Sequence, residues 1–146
     1  MDNSEQQLAT DFLRQAAEHL EQEFVPRIRQ CLALLSEEDV WWRGSESENS
    51  IGNLMLHLSG NVRQWIIAGL GGASDYRERS KEFSARATVS KQVAFSHLEN
   101  TVSEASEILL RLSPEELLST RTIQGFQRTG LQAILHVVEH LPLLLR

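Results

Sequence analysis

The stretch from Ser50 to Gly72, SIGNLMLHLSGNVRQWIIAGLGG, constrains the fold more than any other part of the chain. Ile51, Leu54, Leu58, Val62 and Trp65 recur at the helical period. At about 100° per residue they share an arc of roughly 80°, so one face of this helix is buried. Asn49 or Ser50 supplies the N-cap, and the glycines from Gly69 to Gly72 allow the left-handed turn that ends a helix. His57 stands about 100° from the centre of the apolar arc, beside Asn61 and Gln64. An imidazole there is either a ligand or a partly buried polar side chain.

The 146 residues suffice for one core and one domain, 1–146. A formal charge of -6 argues against a general nucleic-acid binder, which needs a concentrated basic surface. No stretch approaches the roughly 20 apolar residues of a membrane span. The acidic opening MDNSEQQLATDF lacks the basic and apolar regions of a signal peptide. Cys31 is alone, so no internal disulfide forms, and a cytoplasmic setting is the simplest reading. It falls in an amphipathic run and reads as core filler. Few prolines and few β-branched runs favour an all-α domain.

Residues 5–35 read as a long first helix, with Pro26 predicting a kink or local break. Ser36 caps a short helical turn that leads into Trp41 and Trp42. Paired tryptophans there either plug the end of a bundle or wall a ligand pocket. Asp75 to Phe83 reads as a charged, solvated connection. A third helix spans 89–112, with Ala94, Leu98, Val102, Ala105 and Leu109 on its core face. Ser113-Pro114-Glu115-Glu116 opens a short helix through Leu118. Arg121 to Gly130 reads as a loop, and a fourth helix runs from about Thr129 to His140, with Leu131, Ile134, Leu135 and Val138 inward. His136 and His140 then point largely away from the core. Four helical segments with some long connections suggest a four-helix bundle.

His136-Val137-Val138-Glu139-His140 is the sequence's histidine cluster. Imidazoles four apart on a helix reach one metal, and a divalent site wants at least one further ligand, for which His57 is the natural candidate. The same residues match the H-x-x-E-H zinc-protease pattern. That chemistry needs a third ligand on a later helix, and only six residues follow His140. We therefore exclude it.

Asn49-Ser50-Ile51-Gly52-Asn53-Leu54, His57-Leu58-Ser59-Gly60-Asn61, Arg63-Gln64-Trp65-Ile66 and the Gly-Gly-x2-Asp-x-Arg-x-Arg-x2-Glu-Phe run from Gly71 occur in order. With Trp41-Trp42-Arg43, Ile123-Gln124-Gly125 and the segment from Ala133 to His140, they resemble the DinB/YfiT-like superfamily over about residues 5–140, nearest a bacterial branch of uncharacterised function. The resemblance implies an up-down-down-up four-helix bundle, often a homodimer, with three histidines holding a divalent metal such as zinc or nickel. Some relatives transfer a low-molecular-weight thiol to electrophiles, and others are isomerases that depend on such a thiol. The family's ligands correspond to His57, His140 and a position occupied by Leu144. Pro142 also disfavours a straight continuation of the fourth helix, which is then shortened. Either His136 takes the third position, a partner chain completes the site, or metal binding is lost. The LPLLLR ending is also what a truncated or shifted reading frame produces.

Two functions follow as expectations. One is a metal-dependent thiol transferase with His57, His136 and His140 as ligands. The other is a non-enzymatic dimeric bundle with a degenerate metal site. No serine or cysteine with a base, phosphate loop or carboxylate pair names a substrate.

Overall fold

A computed structural model describes residues 2–142 of the chain. The N-terminal rod consists of α1 (Asn3–Glu18), a π turn (His19–Phe24) and α2 (Val25–Ala33). Helical dihedrals persist through both joints, so the rod continues past Pro26. Proline has no N–H for the carbonyl four residues back. The preceding turn is wound wider instead, and the Val25 N–H bonds the Leu20 carbonyl five residues earlier. The kink or local break expected at Pro26 takes the form of a π turn just before it.

After α3 (Glu37–Trp41), α4 (Ile51–Val62) opens on Ser50, whose hydroxyl accepts from the Asn53 N–H at 3.0 Å. The Asn53 side chain in turn accepts from the Ser50 N–H, closing a capping box. A second π segment, Arg63–Ala68, extends α4. The short α5 (Arg79–Ser84) leads to α6 (Lys91–Arg111), which packs along both α1 and α4. Next come α7 (Pro114–Leu118) and α8 (Gly130–His140), which lies on the π segment of α4. The core runs between them through Leu20, Ile28, Met55, Leu58, Trp65, Ile66, Leu98, Leu109 and Ile134.

The chain is mostly helical, with one departure from the all-α expectation. Between α7 and α8, where a loop is predicted, β1 (Thr120–Ile123) and β2 (Phe126–Thr129) pair antiparallel. Gln124 and Gly125 form the two-residue turn, with φ of 54° and 79°. Left-handed values at both positions match the twist of a tight hairpin.

Three burial expectations are corrected. Trp42 is 68% exposed, while Trp41 is half-buried over Gly52, whose missing side chain makes room for the indole. Cys31 is exposed, because Ile28 and Leu32 take the inward positions of α2 on either side of it. In α8 the buried residues are Ala133, Ile134 and Val137, whereas Leu131 and Leu135 are exposed. That rotation turns His136 and His140 inward to half-buried positions. A helix of 11 residues is not stable alone. The burial of Ile134 and Val137, each about 1.5–3 kcal/mol, helps hold α8 in place.

Leu143, Leu144 and Leu145, of which Leu144 stands at the family's third ligand position, lie outside the described residues. Among the described residues, no helix is long and apolar enough to cross a membrane.

Candidate functional site

α4 buries more than the expected stripe. Asn53, His57, Asn61 and Gln64 are all buried as well, forming a polar stripe beside the apolar one. Their spacing places them within about 80° of arc. Buried polar groups need partners, and this stripe finds most of them in the segment after α4.

The Asn53 amide donates to the carbonyls of Glu82 and Ala85, both at 2.9 Å, and pins α5 against α4. Arg77 carries the next tie. Its Nε donates to Glu82 Oε2 and its Nη2 to Glu82 Oε1, each at 2.9 Å, in a two-pronged fork. Its Nη1 donates to Gln64 Oε1 at 2.8 Å. Gln64 Nε2 donates to Asp75 Oδ2, and Asp75 Oδ1 accepts the Arg77 N–H. The Arg77 and Glu82 side chains are only 5% and 11% exposed. The charged connection is therefore not a solvated loop. Removing one member of such a buried pair costs about 3–5 kcal/mol, because the other is left charged and unpaired. Gly60 makes the close approach possible, since a Cβ there would overlap Glu82 Oε2 and crowd Arg77 Nε.

His57 rests against this pair. Its Nδ1 is 3.2 Å from Glu82 Oε1 and 3.1 Å from Arg77 Nη2, and its ring lies 4.8 Å from that of Phe83. Burial raises the pKa of Glu82, but hydrogen bonds from His57 and Arg77, with their charges, outweigh it and leave the carboxyl below its ordinary value.

The other two histidines arrive from α8. His136 stacks on Trp65, with centroids 3.7 Å apart and planes inclined by 17°. Its Nε2 accepts from the Asn61 amide at 3.0 Å, which assigns Nδ1 as the protonated nitrogen. Desolvation, followed by the neighbouring charges of His140 and Arg77, lowers its pKa to about 4. His140 Nδ1 donates to the His136 carbonyl at 2.9 Å. A carbonyl only accepts, so Nδ1 carries a proton, and in the neutral ring the lone pair is on Nε2. The His57 and His140 centroids are 6.1 Å apart, and those of His136 and His140 4.2 Å, stacked at 30°.

The donor set suits two ligands on one ion better than three. Two imidazoles bound to one metal through nitrogens at about 2.0–2.1 Å hold their centroids about 5–6 Å apart, close to the His57–His140 spacing. His136 and His140 are arranged differently. Their centroids are 4.2 Å apart and their planes inclined by only 30°, so the rings stack face to face rather than pointing at one ion. Nε2 of His136 is also engaged by Asn61. Among the described residues, no group of three or more His, Cys, Asp or Glu side chains is arranged to hold a metal ion.

The structure thus gathers His57, His136 and His140 in one cluster, with His136 stacked rather than converging. Arg77, Glu82, Asn53 and Asp75 were not singled out as site residues from the sequence. The polar spacing 53, 57, 61, 64 beside an apolar stripe is the signal that α4 requires buried partners.

The chain belongs to a family described as a protein of unknown function (DUF1572), whose model matches residues 7–145. No curated protein matches it.

Proposed function

We propose that this chain is a DinB/YfiT-like four-helix bundle of the cytoplasm, acting as a homodimer. In this reading its histidine cluster takes one divalent ion, zinc or nickel, and serves the transfer of a low-molecular-weight thiol to an electrophilic small molecule. The four helices are the α1–α2 rod, α4 with its π segment, α6 and α8. The observation that carries the reading is the proximity of His57 and His140 from two helices, with ring centroids 6.1 Å apart and each Nδ1 engaged by a protein group. Ligating histidines are characteristically held in this way by a carboxylate or a backbone carbonyl. When bound, a divalent ion supplies the Lewis acidity that lowers the pKa of a thiol reaching it.

His136 is the third ligand once its ring leaves Trp65 and Asn61. That movement gives up a stacking contact of about 0.5–1.5 kcal/mol and a hydrogen bond of similar size. Structural zinc binding reaches about 10–16 kcal/mol, so the rearrangement is affordable on energetic grounds.

Elemental analysis of the untagged protein tests the proposal. One equivalent of metal per chain is expected, lost in His57→Ala and in His140→Ala and weakened in His136→Ala. Metal-free protein whose stability is the same with and without chelator overturns it.

A second reading, the non-enzymatic dimeric bundle with a degenerate site, has one observation in its favour. Leu8, Leu118 and Leu131 are exposed along an apolar groove between α1, α7 and α8. Sedimentation as a strict monomer counts against it.

A further inference from the structure

We propose that Arg77 and Glu82 are positioning residues that hold His57 as its Nδ1–H tautomer, leaving Nε2 bare in the ring that neighbours His140. The inference deepens the metal-site reading and takes its use from it, but its test does not depend on metal.

The two contacts at His57 Nδ1 exclude one another as hydrogen bonds. Arginine only donates, so a bond from Arg77 Nη2 requires a bare Nδ1; an ionised carboxylate only accepts, so a bond to Glu82 requires Nδ1–H. The fork favours the bond to Glu82, because it commits the guanidinium to the carboxylate and to Gln64. Arg77 directs Nε and Nη2 onto the two oxygens of Glu82 at 2.9 Å each, and Nη1 onto Gln64. Those bonds fix the carboxylate, and each of its oxygens has capacity for a second donor. His57 Nδ1 lies 3.2 Å from Oε1, the oxygen that also receives Nη2. Nη2, already donating to that oxygen, stands 3.1 Å from Nδ1. The ring is held on its flank by Phe83 and the side chain is 8% exposed, so rotation away from the carboxylate is restricted.

The rest of the network supports the fork rather than the histidine directly. Gln64 passes the restraint from Arg77 to Asp75, and the Asn53 amide holds the Glu82 backbone. The chain from Asp75 to His57 is not a proton relay, since the guanidinium at its centre does not release a proton. It is an electrostatic frame that presents one carboxylate oxygen to one imidazole nitrogen. His140 reaches the same tautomer by a simpler device, the carbonyl of His136. Both rings thereby offer Nε2 as a lone-pair donor, and the segment from Asp75 to Phe83 becomes part of the site.

The test is the tautomeric state of His57, read from its ring-nitrogen shifts in long-range proton–nitrogen NMR spectra of the metal-free full chain. The wild-type protein should show Nδ1–H. In Glu82→Gln, where Arg77 no longer has a carboxylate, the spectrum should move toward Nε2–H. Because a lone buried arginine endangers folding, Arg77→Met/Glu82→Met is measured alongside; it removes both charges at comparable volume and should move the same way. Zinc affinity should fall about 10- to 100-fold in both variants, as for other partners behind a ligating histidine. An Nε2–H form in the wild type, or a tautomer unchanged in both variants, overturns the proposal. If the expected tautomers are found but zinc does not bind, the positioning role stands and the metal reading falls. If zinc binds while wild-type His57 is Nε2–H in its absence, the reverse holds.

Discussion

His136 shows how much one side chain's surroundings fix its behaviour. Stacked between Trp65 and His140 and bonded to Asn61, it is held neutral, with its pKa lowered by burial from 6.5 to about 4. The unfolded chain binds a proton at that histidine before the folded chain does, so folding loses stability as pH falls. Its contribution is complete above pH 6.5, declines toward about pH 4 and is constant below. His97, also lowered by burial and by the charge of Arg63, acts in the same direction. Glu82 enters later, since its stabilisation is present above its ordinary value of 4.5 and disappears only as pH falls through the lower folded value. Urea denaturation in chelator between pH 7 and pH 5 should therefore reveal a fall in stability governed by the histidines. His136→Phe keeps a ring on Trp65 without a titrating group and should flatten most of that slope, leaving the part due to His97. An unchanged slope shows that His136 protonates as readily in the folded chain as in the unfolded one.

At the scale of elements, the hairpin before α8 carries an avoidable strain. Gln124 sits at a φ of 54°, where a side chain beyond Asn or Asp is disfavoured by roughly 1 kcal/mol. Gln124→Asn creates the Asn-Gly pair favoured in such turns and should stabilise the protein by about 0.5–1 kcal/mol, read as a rise in thermal midpoint. No rise, or a fall, means that Gln124 makes a compensating contact. The same turn explains why a loop was expected from the sequence: glutamine is not a hairpin residue, and four-residue strands give little alternation to detect. The helices were more legible, because capping residues at Ser50, Ser113 and Thr129 mark their starts and apolar positions recur along α4 and α6. The inward face of α8 was not. Leu131, Ile134, Leu135, Val137, Val138 and Leu141 span an arc of about 160°, wider than the buried face needs, so periodicity permits more than one orientation and tertiary packing chooses. His57 and the pair on α8 could be named from spacing and resemblance, whereas Arg77 and Glu82 were legible as members of a motif but not as partners of His57. A run rich in Arg, Glu and Lys has the composition of a solvated connection, and only the polar stripe of α4 shows where those charges are needed.

For the whole molecule, the consequence lies in where the histidine cluster sits. His57 belongs to α4, which packs on α6 through the core, while His140 ends α8, an 11-residue helix held mainly against the π segment after α4. A ligand taken by both histidines ties the last helix to the central one, so binding should appear as global stability rather than as a local change. For one site filled at a free concentration about 100 times its dissociation constant, linkage adds about 2.7 kcal/mol. In a chain of this size that corresponds to a rise of roughly 5–10 °C in the thermal midpoint. Scanning calorimetry of chelator-treated protein, with and without added zinc, measures it. His57→Ala and His140→Ala should each abolish the rise. His136→Ala distinguishes the two forms of the site: a full rise means that two histidines suffice, and a reduced one means that the ring leaves Trp65 to become the third ligand. If neither zinc nor nickel raises the wild-type midpoint, the cluster is a packed polar junction between α4 and α8, and the dimeric, non-enzymatic reading takes precedence.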